Sequence, residues 1–186
     1  MLKEDRLYFY EAEQYLRRNN MKRLIQFVIV STFLLFAGIT MANIQIVELI
    51  NSKSSIQVGE SFSVTAKYTT PSNNGAFGVG IRVHYDSNKL KFIGFKNSFA
   101  IGKVVQDNTP KDDTKQDYDH STATDKYVVI AWGSTVNFWP NMPTPIDLSN
   151  LIFEAITSGE TEILVSFSDV SEGYDSQAGS IAVLVE

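Results

Sequence analysis

The amino-acid sequence predicts an all-β domain, a sandwich of about nine strands, behind an apolar N-terminal leader. From residue 43 to the end the dominant hydrophobic period is two, and helical i, i+3, i+4 spacing does not persist for three turns. Turn signals such as "TPSNNGAFG", "DSNK", "TSGE" and "SEGYDSQAG" separate the alternating runs. Packing sheet on sheet is the simplest way to bury that many one-sided strands.

The leader begins at Met21 as "MKRLIQFVIVSTFLLFAGITMANIQ", with two basic residues, an apolar stretch over residues 24–39 and small residues ending in Ala42. That is the order of a secretory signal peptide cut after Ala42. The preceding "MLKEDRLYFYEAEQYLRRNN" is longer and more acidic than a signal n-region, which makes Met21 a candidate start. With residues 1–20 present, the apolar stretch also approaches the roughly 20 residues of a membrane anchor. Arg17, Arg18, Lys22 and Arg23 would then hold its N-terminal side in the cytoplasm. Both alternatives divide the chain into a leader at 1–42 and an exported domain at 43–186, either secreted, periplasmic or on the cell surface. The membrane enters only through an uncleaved leader.

The chain has no cysteine, which excludes a lipoprotein anchor and agrees with a domain large enough to fold without disulfides. From Asn43 onward ten Lys and Arg face seventeen Asp and Glu, so a nucleic-acid partner, which requires a basic surface, is not expected.

The elements follow in order. "NIQIVEL" opens the domain, and "ESFSVTAKY" sets Phe62, Val64, Ala66 and Tyr68 against Ser61, Ser63, Thr65 and Lys67, the pattern of a strand with one buried face. "VGIRVHY" repeats it through Val79, Ile81, Val83 and Tyr85, and "KLKFIGF" through Leu90 and Phe92. With a turn over residues 86–89, these two form a core hairpin in which His84 faces solvent and Asp86 accepts bonds from its own turn. "KYVVIAWG" buries Val128, Ile130 and Trp132; "LSNLIFEAI", "EILVSFSD" and "SIAVLVE" complete the set. Between them residues 107–126 are almost free of apolar side chains, and Asp107, Asp112, Asp113, Asp117, Asp119 and Asp125 supply six carboxylates. Calcium accepts such oxygen-rich arrays. The spacing matches no calcium-loop pattern, however, and the interspersed Lys111, Lys115 and Lys126 suit a solvated loop.

Three motifs occur in a specific order: "VGESFSVTAKY", then "GVGIRVHYDSNKLKFIGF" with its Tyr-Asp turn, then "LSNLIFEAI" with "GETEILVSFSD". This order resembles the cohesin domains of cellulosome scaffolds, whose superfamily shares a jelly-roll sandwich with several carbohydrate-binding modules, and it covers nearly all of residues 43–186. The resemblance implies a secreted, non-catalytic module whose sheet face grips a dockerin, a calcium-loaded helical protein. In cohesins the strand ahead of the Tyr-Asp turn places an Asn and an Asp on its outward face for that partner. Here the corresponding positions are Gly78 and Gly80, which have no side chain to offer.

Other chemistry finds little support in the residues. Gly78-Val79-Gly80 gives G-x-G, but Val83 stands where the third glycine of a dinucleotide loop belongs and no helix follows, so a bulge or a close backbone approach is expected. His84 and His120 are the only histidines, too few for a zinc site of ordinary spacing, and no metal is expected. A G-x-S-x-G elbow is absent, and no cue marks a Ser-His-acid set, so the chain is not expected to be an enzyme. Among aromatics, Trp139 lies in a proline-flanked segment after the "KYVVIAWG" strand. An exposed Trp139, with Phe138 or Tyr118, would form a flat platform for a sugar ring, against the alternative of packing on the sandwich edge. The partner is therefore expected to be a protein, dockerin-like or of the envelope, or else a polysaccharide bound near Trp139.

Overall fold

The computed structural model describes residues 43–186 apart from 52, 54, 72–74 and 137. The leader expected at 1–42, cleaved or anchoring, lies outside the described residues. Among the described residues, no helix is long and apolar enough to cross a membrane.

The strands are β1 (Ile44–Asn51), β2 (Ser55–Ile56), β3 (Ser61–Thr69), β4 (Gly78–Tyr85), β5 (Leu90–Lys96), β6 (Lys103–Asp112), β7 (Lys126–Gly133), β8 (Ile146–Ala155), β9 (Gly159–Val170), β10 (Asp175–Ala178) and β11 (Ser180–Val185). They form two sheets, β10-β1-β3-β8-β5 and β2-β11-β9-β4-β7-β6. The predicted all-β sandwich is present. β2 and β10 are short additions that pair parallel with β11 and β1, while the other pairs run antiparallel.

Alternation explains the core. Phe62, Val64, Ala66 and Tyr68 of β3 meet Val79, Ile81, Val83 and Tyr85 of β4 across the gap, with Leu90, Phe92, Val128, Ile130, Trp132, Leu151, Phe153, Ile163 and Val165 in the same cluster. β8 changes phase along its length, because Ile146 and Leu148 face inward at one end and Leu151, Phe153 and Ala155 at the other. A register shift against β3 between Ala66 and Lys67 accommodates that change, as a bulge does. At one end of the sandwich the buried Gln45 is fully engaged: its Nε2 donates to the Tyr68 hydroxyl and to the Gly78 carbonyl, both at 2.9 Å, and its Oε1 accepts from the Ser171 N–H at 2.8 Å.

Two expectations need correction. The stretch around Asp86 is no hairpin, since β4 pairs with β7 and β9 in one sheet and β5 with β8 in the other. The predicted inward set is right, but the Asp86 turn carries the chain across the sandwich. Its local bonds are as expected, with Asp86 Oδ1 accepting from the Asn88 N–H at 2.8 Å. Secondly, the loop expected at 107–126 starts later. β6 runs to Asp112 as an edge strand in which only Val104 and Asp107 are half-buried, so it has no alternation to betray it.

Candidate functional site

The outer face of the six-stranded sheet is built from positions that alternate with the core. Pairing sets them in rows: Val105 (β6), Ala131 (β7) and Gly80 (β4); then Asp107, Val129 and Arg82; then Lys111, Tyr127 and His84. Neighbouring strands lie about 4.8 Å apart, so each row spans roughly 10 Å. In the first two rows the surface is low and apolar. Val105 is 57% exposed, Val129 and Ala131 are half-buried, and Gly80 supplies a floor without a side chain.

That floor is enforced. A Cβ on Gly80 would lie 2.5 Å from Ser168 Oγ and 3.1 Å from Asp169 Cβ, where β9 shifts register against β4. At Gly78, φ is +147° and a Cβ would come within 1.9 Å of the Trp132 carbonyl oxygen. Gly78 is thus closed to a side chain by backbone, and a side chain at Gly80 would require Ser168 to move.

The third row is covered. Residues 113–125 fold back over the face and bury His84, which the sequence placed in solvent, to 0% exposure. His84 Nδ1 lies 2.8 Å from Asp113 Oδ2 and 3.6 Å from Asp119 Oδ2, and its Nε2 lies 2.7 Å from Ser166 Oγ. The covering segment is pinned at several points. Asp113 and Asp125 exchange a backbone bond of 3.0 Å, and Asp125 accepts from both the N–H and the hydroxyl of Ser87 at 2.6 Å. Thr124 donates its hydroxyl to Asp119 at 2.6 Å. The Arg82 guanidinium sits 4.0 Å over the Tyr118 ring and donates to the Phe167 carbonyl at 2.8 Å. Burial holds the His84 ring below the usual histidine range, against the opposing pull of Asp119 and Asp113.

Asp113, His84 and Ser166 stand in the order orienting acid, base and hydroxyl. With no exposed surface on the ring, however, no substrate atom reaches the His84 nitrogens. The signal for this cluster is absent from the sequence because its members come from β4, β9 and the 113–125 segment, far apart in the chain.

The six loop carboxylates do not converge on one point. Asp107 and Asp112 stay on β6 beside Lys111 and Lys126, at 3.1 and 3.5 Å, and hydrogen bonds from Thr109 and Thr114 hold them below the usual carboxylate range. Asp113 and Asp119 turn to His84, and Asp125 turns to Ser87.

Nor do the three aromatic candidates form a platform. Trp139 is 1% exposed: its ring packs against Tyr68, Phe99 and Trp132 at centroid distances of 5.1, 5.9 and 6.4 Å, and its Nε1 donates to the Ile101 carbonyl at 2.9 Å. It plugs one end of the sandwich, the packing alternative of the two that the sequence left open. Phe138 and Tyr118 are exposed, but they sit in the connections at opposite ends of β7. Eight residues of strand at about 3.3 Å each hold these connections roughly 25 Å apart.

Comparison with protein-family models finds no match, nor does comparison with curated proteins. Solved structures do match. A complex of CaDoc0917 with CaCohA2 superposes with a TM-score of 0.52 at 12% identity, over 76% of this chain and 99% of that one. The third ScaC cohesin of Acetivibrio cellulolyticus, solved with the ScaB dockerin, gives a TM-score of 0.50 at 12% identity, over 76% and 98%. The β-sandwich described here is a cohesin-like domain in its fold.

Proposed function

We propose that this is an exported, non-catalytic binding module that recognises a protein partner, of the dockerin kind, across the open rows of the outer sheet face. The observation that carries the reading is the apolar strip of Val105, Val129 and Ala131 on the glycine floor of Gly80, rimmed by Arg82, Asp107 and Lys103. Flat apolar surface with a polar rim is how protein interfaces are built. The cohesin-like fold supports the same reading, and the leader at 21–42 supports export. Because Gly78 and Gly80 offer no side chain, recognition rests on apolar contact and on the rim rather than on an Asn–Asp pair.

The test measures binding of the full chain to calcium-loaded dockerin proteins and, in parallel, to insoluble polysaccharides. Ala131→Arg plants a charge in the strip and is expected to weaken protein binding by about a hundredfold, roughly 2.7 kcal/mol, with an unchanged melting temperature. Unaltered binding by this variant would remove the face from the proposal. Retention on polysaccharide without any protein binding would favour the sugar-binding alternative, centred on Phe138 or Tyr118 since Trp139 is buried. For export, a mature N-terminus at Asn43 is the expected outcome, and an intact leader in the membrane fraction would replace cleavage by anchoring.

A further inference from the structure

We propose that His84, Asp113 and Asp119 form a binding site for a divalent first-row transition cation of the zinc class, which clamps the 113–125 segment onto the sheet. The three ligating atoms lie within 4.8 Å of one another. Around a tetrahedral zinc, with bonds of 2.0–2.1 Å, ligand atoms stand about 3.3 Å apart. The 2.8 and 3.6 Å distances from His84 Nδ1 to the two carboxylate oxygens bracket that value.

Charge supplies an independent reason. The side chains of Asp113 and Asp119 are only 2% and 3% exposed, and both aim an oxygen at the same ring nitrogen. Nδ1 carries at most one hydrogen, which can serve only one of the two carboxylates. Their other partners, the Thr124 hydroxyl and Ser121 N–H on Asp119 and the Tyr118 N–H on Asp113, are neutral donors. Two buried acidic side chains held only by neutral donors around one ring suit a cation, and the nearby Arg82 is already engaged by Tyr118 and the Phe167 carbonyl.

The rest of the imidazole fits the role. Nε2 is bonded outside the cluster, to Ser166 Oγ, and a histidine ligand characteristically gives its second nitrogen to such a partner. With the hydrogen on Nε2, the Nδ1 lone pair points at the two carboxylates. A cavity of about 310 Å³ lined by Asp113, Asp117, Thr124 and Asp125 adjoins the cluster on its Asp113 side. The donor set of one nitrogen and two carboxylate oxygens discriminates against calcium, which takes six to eight oxygens.

The experiment uses the untagged full chain, stripped with chelator and titrated with Zn²⁺ by calorimetry and with Co²⁺ by visible absorption. One equivalent should bind, Co²⁺ should give the visible bands of a low-coordinate site, and the melting temperature should rise. Asp119→Asn preserves shape and is expected to weaken binding at least about tenfold, while its metal-free melting temperature stays near that of the parent. His120→Gln, outside the cluster, should bind like the parent. If the stripped protein binds no equivalent of either ion, or if Asp119→Asn binds as tightly as the parent, the site is a plain Asp113–His84–Ser166 hydrogen-bond chain and the proposal fails.

Discussion

At Gly78 and Gly80 a missing side chain shapes both the fold and the outer sheet face. The Gly78 backbone sits at φ +147°, and a methyl there would run into the Trp132 carbonyl of the neighbouring strand. Gly78→Ala is expected to lower unfolding stability by about 2–4 kcal/mol in urea melts, since both backbone strain and the clash must be relieved. A loss below 1 kcal/mol would mean that β7 can move aside. Tyr68 and Tyr85 make a different kind of residue-scale statement. Burial pushes both phenols from 10.0 up to about 12. In the unfolded chain they ionise near 10, so the folded state holds their protons longer. Their contribution to stability is therefore intact below pH 10 and is lost as pH rises from 10 towards 12. Alkaline denaturation followed by circular dichroism should begin in that window, and Tyr68→Phe should make the decline shallower.

The decisive element is the 113–125 segment, which divides the outer face into an open part and a covered part. Its attachment rests on Asp125, whose carboxylate takes two bonds from Ser87 in the turn that follows β4. Asp125→Ala removes both and is expected to cost about 1–3 kcal/mol locally. Amide exchange should quicken within 113–125 while the amides of Val79, Ile81 and Val83 keep their protection; acceleration spread evenly over the domain would argue against a separable segment. Legibility at this scale followed burial. β3, β9 and β11 were visible because each alternates between the core and a wetter face. β4 and β7 were visible because their inward residues are bulky and apolar, although the outer phase of β4 is also buried at Gly78, Gly80 and His84. β6 and β10 were not, being exposed except at the half-buried Val104 and Asp107 and set mainly by pairing with β7 and β1. The β4–β5 connection misled for a related reason: alternation reports which side chains face the core, and both sheets of a sandwich face the same core.

For the whole molecule, closure of the sandwich end depends on Trp139, wedged among Tyr68 of β3, Trp132 of β7 and Phe99. Trp139→Ala is expected to cost about 3–5 kcal/mol in thermal or urea unfolding, as large core aromatics do, without a specific loss of sugar retention. A stable variant that lost polysaccharide binding would reverse that assignment. The sequence by itself determined the all-β class, the inward set of most strands and the absence of side chains at Gly78 and Gly80, because these are written in local alternation and residue identity. It also carried the apolar outer strip of β7. "YVVIAW" is apolar on both phases, so Val129 and Ala131 had to face either a covering layer or a partner. Only the tertiary structure decided that β4 and β5 lie in different sheets, that Trp139 is buried, and that His84 is met by Asp113, Asp119 and Ser166. These depend on contacts between residues some 30 to 80 positions apart, and local pattern carries no information about where the chain returns.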